Sequence, residues 1–408
     1  MKVVLAAAMY SPNLGDGVIA ECFSHHATQV NPGIEIHWLD LSGRTDFSPP
    51  SAGSFRTVVL EALSRLPVRV ANFVSASLVR TQIQRKLEPQ INETFRDADA
   101  LIIGGGQLFG DANLNFPLKL TRVVDEAEAR GMGIAIQAVG VAEHWTPEGS
   151  NLFARVLASA NLKYVSVRDR VSKERLTRHC HRLNCMLPAE IRVVPDPGIL
   201  SNELASPRSS AKSGMGPLVG IGITHSAAIR THTDSRTAPS IKTSIQRYSA
   251  LSRALLADGY KVSLFTNGAQ EDEEMLDLVV KELHRQNVSD VVRHDRPQTP
   301  LGLIEQIGRF DALISHRLHA NIVAYSLGVP AIALSWDSKV DAFLESVGLG
   351  SRLADGTLAS IDAIQNKLGR ALAETDTPNN PVNIGTDARQ AIREVLESVL
   401  DELKHPAA

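Results

Sequence analysis

SHRLHANIVAYSLGVPAIALSWDSK, residues 315–339, decides how this chain is read. The apolar run Ala312–Ile314 leads into it, and Ser315-His316-Arg317-Leu318-His319 follows at once. An apolar stretch of helical length comes next, Gly328 and Pro330 stop it, and Ala331–Leu334 is a second short apolar run. Strand, helix, strand in this order is a βαβ unit of a parallel sheet. Two histidines and an arginine therefore occupy the loop where a strand opens onto a helix, which is where open α/β sheets bind ligands.

The same alternation extends in both directions. Val3–Ala8, Ile34–Leu39, Ala100–Ile103, Ile134–Ala138, Tyr164–Val167 and Ile191–Val194 read as strands. Helices are predicted between Asp16 and Gln29, Phe116 and Arg130, and Val171 and His181. Residues 206–217, small, polar and punctuated by Gly and Pro, read as a linker. After it the alternation restarts with Leu218–Ile223, Lys261–Phe265 and Val288–Val292. The 408 residues exceed the ~250–300 at which single cores stop growing. The predicted architecture is α/β: two doubly wound Rossmann-like domains, 1–205 and 218–385, flanking a cleft, with a C-terminal helix over 386–408 that can cross back. Residues 55–95 form a predicted helical insertion carrying Arg65, Arg69, Arg80, Arg85 and Lys86. It reads either as an excursion with a solvated face or as a contact with the inner membrane surface or a bulky acceptor.

A net charge of −3 gives no global field to recruit nucleic acid or an anionic membrane, so any anion site is local. Three cysteines are too few for a disulfide framework and suit a reducing compartment. The opening MKVVLAAAMY reads as a buried strand rather than a signal peptide, and no apolar run reaches the ~18 residues of a membrane span. A cytoplasmic protein, peripheral to a membrane if the basic insertion contacts one, is the expectation.

The residues after each strand are the candidates for chemistry: Ser11–Gly17, Gly104-Gly105-Gly106-Gln107, Arg168-Asp169-Arg170 and Asp196-Pro197 in the first half. Thr224-His225, Asn267-Gly268, Ser315–His319 and Asp337-Ser338-Lys339 follow in the second. Glycines let backbone approach an anion, yet neither G-x-G-x-x-G nor a P-loop is present. Arg317 and Arg168 each demand an anionic partner, because a guanidinium cannot lose its charge near a strand end. That partner is a ligand or a structural carboxylate, Asp311 or Asp337 for Arg317 and Asp169 for Arg168. Asp16 reads equally as a helix N-cap. His179-Cys180-His181 with Cys185 lacks the spacing of a zinc site, and no metal is expected. His225, Arg230 and His232 lie in a Ser/Thr-rich loop that either touches a sugar or is merely solvated.

These motifs resemble those of the polysaccharide pyruvyl transferases. Asn13-Leu14-Gly15-Asp16 is similar to the family's N-x-G-D, Gly104–Gly106 to its G-G-G, Arg168-Asp169 with Ser172 to its R-D-x-x-S, and Asp196-Pro197 to its D-P. Ser315-His316-Arg317-Leu318-His319-Ala320 is similar to its S-x-R-L-H-A, and Gly328, Pro330 and Lys339 also match. Ile136–Gly140 departs from the family's G-Q-G-x-G-P, and His316 is an unusual occupant of its place. The resemblance implies a GT-B-like fold and transfer of pyruvate from phosphoenolpyruvate to a sugar or lipid-linked acceptor as a cyclic ketal, without a further cofactor. It implies donor binding by Arg168, Arg317, Leu318, Lys339, Asn13, Gly105 and Gly106. His319 would act as general acid/base, with Asp16 as a second catalytic candidate and His225 and His316 toward the acceptor. The alternative is a GT-B nucleotide-sugar glycosyltransferase, against which stand the bulky Arg-Leu-His loop and the lack of Glu in the following helix. A non-catalytic binding protein is the remaining reading.

Overall fold

The computed structural model describes residues 1–48, 68–187, 190–206, 216–228, 239–336, 338–356, 359–374 and 384–400. Contacts divide the chain into two compact units. The first comprises Met1–Ser11, Ile19–Pro197 and the segment from Gly385 on; the second comprises Pro12–Val18 and Gly198–Ile384.

The first unit holds a six-stranded sheet of β1 (Lys2–Ala7), β2 (Glu35–Asp40), β3 (Ala100–Gly104), β4 (Gly133–Val139), β5 (Leu162–Val167) and β6 (Ile191–Val193). Its order is β2-β1-β3-β4-β5-β6 and every pairing is parallel. The central strands β1, β3, β4 and β5 are apolar along most of their length because both faces are covered by helices, while the edge strands β2 and β6 are partly polar and exposed. The helix Val68–Gln82 continues through a π-helical turn, Ile83–Leu87, into Glu88–Thr94. Val79, Ile83, Leu87, Ile91 and Phe95 from this run enter the core, while Arg85 and Lys86 face solvent. This described part of the basic insertion is thus an amphipathic helix with a solvated face. Arg65 lies outside the described residues, as do 188–189, and Arg80 pairs with Glu148 at 3.4 Å.

The second unit repeats the plan with β7 (Leu218–Gly222), β8 (Lys261–Phe265), β9 (Val291–Arg293), β10 (Ala312–Ser315), β11 (Ala331–Ser335) and β12 (Leu353–Asp355). The order β12-β11-β10-β7-β8-β9, again all parallel, is the doubly wound 3-2-1-4-5-6 arrangement. Strand order reverses at β1/β3 in the first unit and at β7/β10 in the second, so the loops after β1, β3 and β10 stand at switch points, where such sheets bind ligands, while the Arg168 loop follows β5 farther along its sheet.

The boundary falls at Pro197/Gly198 rather than 205/206. Ser326 Oγ donates to the Ile199 carbonyl (2.7 Å), and the Asn202 amide donates to Ser326 Oγ (2.9 Å), tying this segment to the second unit. Most of the predicted linker, 207–215, lies outside the described residues. The helix Ile384–Val399 belongs to the first unit: Ala391 packs on Ala138 and Val194, and Arg192 pairs with Glu394 at 2.6 Å. Gly133 is small because a Cβ there would come within 3.0 Å of the Val399 carbonyl. Leu396 is fully buried on this helix. Leu396→Ala is expected to cost about 2–5 kcal/mol, read as a lower denaturation midpoint of the first unit; loss of less than ~1 kcal/mol would mean the helix is only loosely docked.

Candidate active site

In the first unit the loops after β3, β4 and β5 are stitched together by backbone. Gly105 and Gly106 have positive φ (76° and 67°), and a Cβ on Gly105 would strike Ile19 at 2.5 Å. The Gly105 amide donates to the Gln137 carbonyl (3.0 Å), and the Gly140 amide donates to the Gly106 carbonyl (2.8 Å). Arg168 lies against Gly140, where a Cβ would sit 2.7 Å from its Nη2. Its guanidinium side chain is 6% exposed, yet its one hydrogen bond is a long one from Nη2 to Gln107 Oε1 (3.5 Å). Nε makes none among the described residues and forms an ion pair with the Asp169 carboxylate at 3.5 Å. Asp169 is otherwise engaged as the N-cap of the helix Arg170–Arg182, accepting from the Ser172 amide at 2.6 Å. Next to this loop cluster, Gln137 is fully buried and its Nε2 has no partner. The Asp196 side chain is buried after β6.

In the second unit Arg317 is the residue before the helix Leu318–Ser326, but its side chain does not cap that helix. It crosses to the first turn of the helix Gln270–Arg285 and grips one oxygen of Asp272 with two nitrogens, Nε at 2.9 Å and Nη2. Asp272 is fully buried and its other oxygen accepts the His225 amide at 2.8 Å. The sequence expectation is thus corrected: the carboxylate that answers Arg317 is Asp272, whereas Asp311 accepts the Leu218 amide and Asp337 lies outside the described residues. Burial acts to lower the Arg317 pKa, but the adjacent Asp272 carboxylate outweighs it and holds the guanidinium above its usual range. Ser315 Oγ accepts the Arg317 amide (3.1 Å), and Asn321 Nδ2 donates to the carbonyls of Ser315 (3.2 Å) and Arg317 (2.9 Å), so the loop is locked from both sides.

His319, mostly buried, is packed by Gly15: a Cβ there would meet the imidazole at 2.6 Å. The Leu14 amide donates to the Asn267 carbonyl (2.8 Å), so the N-x-G-D loop joins the ends of β8 and β10 within the second unit. Asn13 Oδ1 accepts from the Gly15 amide at 3.4 Å, and Asp16 is half-buried in the first turn of the helix Gly15–Val30. Leu318 packs with the apolar cluster of Ala333, Val340 and Leu344. Lys339 is the second residue of the helix Ser338–Ser346 and is half-buried. His225 lends Nδ1 to the Ala227 amide (3.0 Å); Arg230 and His232 lie outside the described residues.

His316 is corrected from an acceptor contact to a core residue. It is 4% exposed, its Nδ1 meets the Tyr248 hydroxyl at 3.1 Å, and it lines a small cavity with Ser244, Arg247 and Gly356. Burial pushes its pKa down from 6.5 to about 3. His179 is likewise structural: its ring stacks on Trp145 at 3.7 Å and Nε2 meets the Ala142 carbonyl. Among the described residues no cluster of His, Cys, Asp and Glu could hold a metal ion. No described helix is long and apolar enough to cross a membrane.

Because His316 is neutral when folded and protonated below 6.5 when unfolded, acid draws it toward the unfolded state. Stability should fall by roughly 1.4 kcal/mol per pH unit between 6.5 and 3 on account of this group. His316→Gln should flatten the acid limb of a melting-temperature profile; an unchanged slope would show that the imidazole does not stay neutral.

The fold is similar to three solved structures at 10–12% identity, a level that shows fold alone. The UDP-GlcNAc 2-epimerase of Methanocaldococcus jannaschii matches at 10% identity with TM-score 0.52, covering 97% of this chain and 100% of that one. The UDP-forming trehalose-phosphate synthase of Burkholderia xenovorans matches at 11% and 0.52, covering 100% and 99%. The UDP-GlcNAc 2-epimerase of Neisseria meningitidis, bound to UDP-GlcNAc, matches at 12% and 0.50, covering 98% and 100%. These place the two Rossmann-like units in the GT-B class. No curated protein sequence matches the chain. The family model for polysaccharide pyruvyl transferases matches residues 13–338, a span that runs from the N-x-G-D loop through the Arg168 and Arg317 loops to the residue before Lys339, and the chain belongs to that family.

Proposed function

We propose that this protein transfers pyruvate from phosphoenolpyruvate to two hydroxyls of one sugar, forming a cyclic ketal and releasing phosphate. The observation that carries the reading is Arg168, a buried guanidinium whose five N–H donors have, among the described residues, one long hydrogen bond and one carboxylate at 3.5 Å. Such a group calls for a carboxylate or phosphate, and phosphoenolpyruvate bears both. Gln107 and the Gly105-Gly106 turn stand beside the same loop cluster, and Arg317, Asn13, Leu318 and Lys339 are the remaining donor residues in this reading.

The chemistry balances without a redox partner. The methylene carbon of the enol accepts a proton, leaving positive charge at the carbon that bears the phosphate ester. A sugar hydroxyl oxygen attacks that carbon and loses its proton. The second hydroxyl then attacks the same carbon, its proton is lost, and the C–O bond to phosphate breaks with the electron pair on phosphate. One hydroxyl proton balances the new methyl group and the other leaves with phosphate or solvent. His319 is the proton carrier in this reading, as an imidazole can both accept and donate a proton. Asp16 is the second candidate for deprotonating a hydroxyl, and His225 the acceptor-side contact. Guanidinium groups aimed at the departing phosphate supply positioned electrostatics. An acceptor carried on a membrane lipid would give the basic insertion a surface to meet.

The GT-B fold itself favours a second reading, a nucleotide-sugar glycosyltransferase. Melting curves with phosphoenolpyruvate and with UDP- and GDP-sugars separate the two. A ligand at a hundred times its Kd stabilises by ~2.7 kcal/mol. Stabilisation by phosphoenolpyruvate alone, lost in Arg168→Ala, is the expected result; stabilisation by a nucleotide sugar alone would overturn it.

A further inference from the structure

Arg317 does not meet its ligand as a free cation. Asp272 occupies Nε and Nη2, and Nη1 takes no part in that grip. The pair is almost fully withdrawn from water, with side-chain exposures of 12% for Arg317 and 0% for Asp272. A buried ion pair of this kind is weak support for stability, since desolvating two charges offsets their attraction. It does restrict geometry: a planar fork held along one edge can present its remaining N–H groups in only one direction.

Asp272 is itself held. It sits in the first turn of the helix Gln270–Arg285, and its second oxygen is tied to the His225 amide after β7. One carboxylate thus joins the ends of β7, β8 and β10, the three strands around the switch point of this sheet. Its neighbours Glu271 and Glu273 share the same turn, but Glu273 instead accepts from Thr266 Oγ1 and pairs with Arg293.

We propose that Asp272 is the positioning residue for Arg317, holding the guanidinium so that Nη1 faces the anionic donor and orienting that donor without adding net charge. This rests on the donor reading given above. Asp272 touches no substrate; it acts through Arg317 alone.

The test is phosphoenolpyruvate binding by calorimetric titration in four full-length proteins: wild type, Asp272→Asn, Arg317→Lys and the double variant, with melting temperature measured alongside. Asp272→Asn should weaken binding by about tenfold or more. In the Arg317→Lys background the same change should add less than about twofold, since the group it positions is already lost. A merely structural role would lower the melting temperature while leaving the Kd in place. Binding unchanged in Asp272→Asn, or two losses that simply multiply, would overturn the proposal. Should Asp272→Asn not fold, Asp272→Glu decides, because it keeps the charge and displaces the fork by one methylene. Weaker binding in that variant supports the role, and an unchanged Kd overturns it. Wild-type protein that does not bind phosphoenolpyruvate would overturn the donor reading itself, and this role with it.

Discussion

A guanidinium cannot shed its charge, so a protein that buries one must supply an anion or leave a demand for one. Arg317 and Arg168 stand at different points between these two outcomes. At the end of β10 Arg317 is answered by Asp272, and at the end of β5 Arg168 is left with a distant Asp169 and one long bond to Gln107. The two arginines look alike in the sequence, each following an apolar strand and preceding a helix. They differ in how closely a carboxylate holds them: Asp272 is gripped by two nitrogens of Arg317, whereas Asp169 approaches Arg168 at 3.5 Å.

Holding such bulky polar groups at strand ends requires room, and the glycines provide it. Gly140 leaves space for the Arg168 guanidinium, Gly15 for the His319 ring, and Gly222 for Ser315 Oγ, which a Cβ would meet at 2.5 Å. In each case the missing side chain stands opposite a motif residue rather than at a turn that demands positive φ. Each of these glycines and the motif side chain opposite it are therefore parts of one local packing solution.

Much of this architecture was legible from periodicity, because strands buried on both faces read as continuous apolar runs. The errors have local causes. Val288 looked like strand, but its amide closes a helix C-terminal motif on the Leu283 carbonyl with Asn287 at φ 57°, so β9 starts at Val291. The strand β12 is three residues long and carries no periodic signal. The helix Pro147–Leu157 was missed although Thr146 caps it and Pro147 opens it. In the site, the motif positions could be read but their partners could not. Asp272 is one of four consecutive acids, Glu271–Glu274, at a helix start, which ordinarily signifies only a favourable macrodipole. Nothing in local spacing distinguishes it from Glu271 or ties it to an arginine 45 residues on.

The fold alone does not select a donor, since the same pair of Rossmann-like units accepts unrelated chemistries. What narrows the choice is which hydrogen-bonding groups at the switch points are already spent. In the second unit Ser315 Oγ takes the Arg317 amide and Asn321 takes two carbonyls of the same loop, while a full carboxylate neutralises the arginine. A long diphosphate read by backbone amides would have to compete with these bonds. A small anion that needs one oriented edge, as the proposed donor is, would leave them intact.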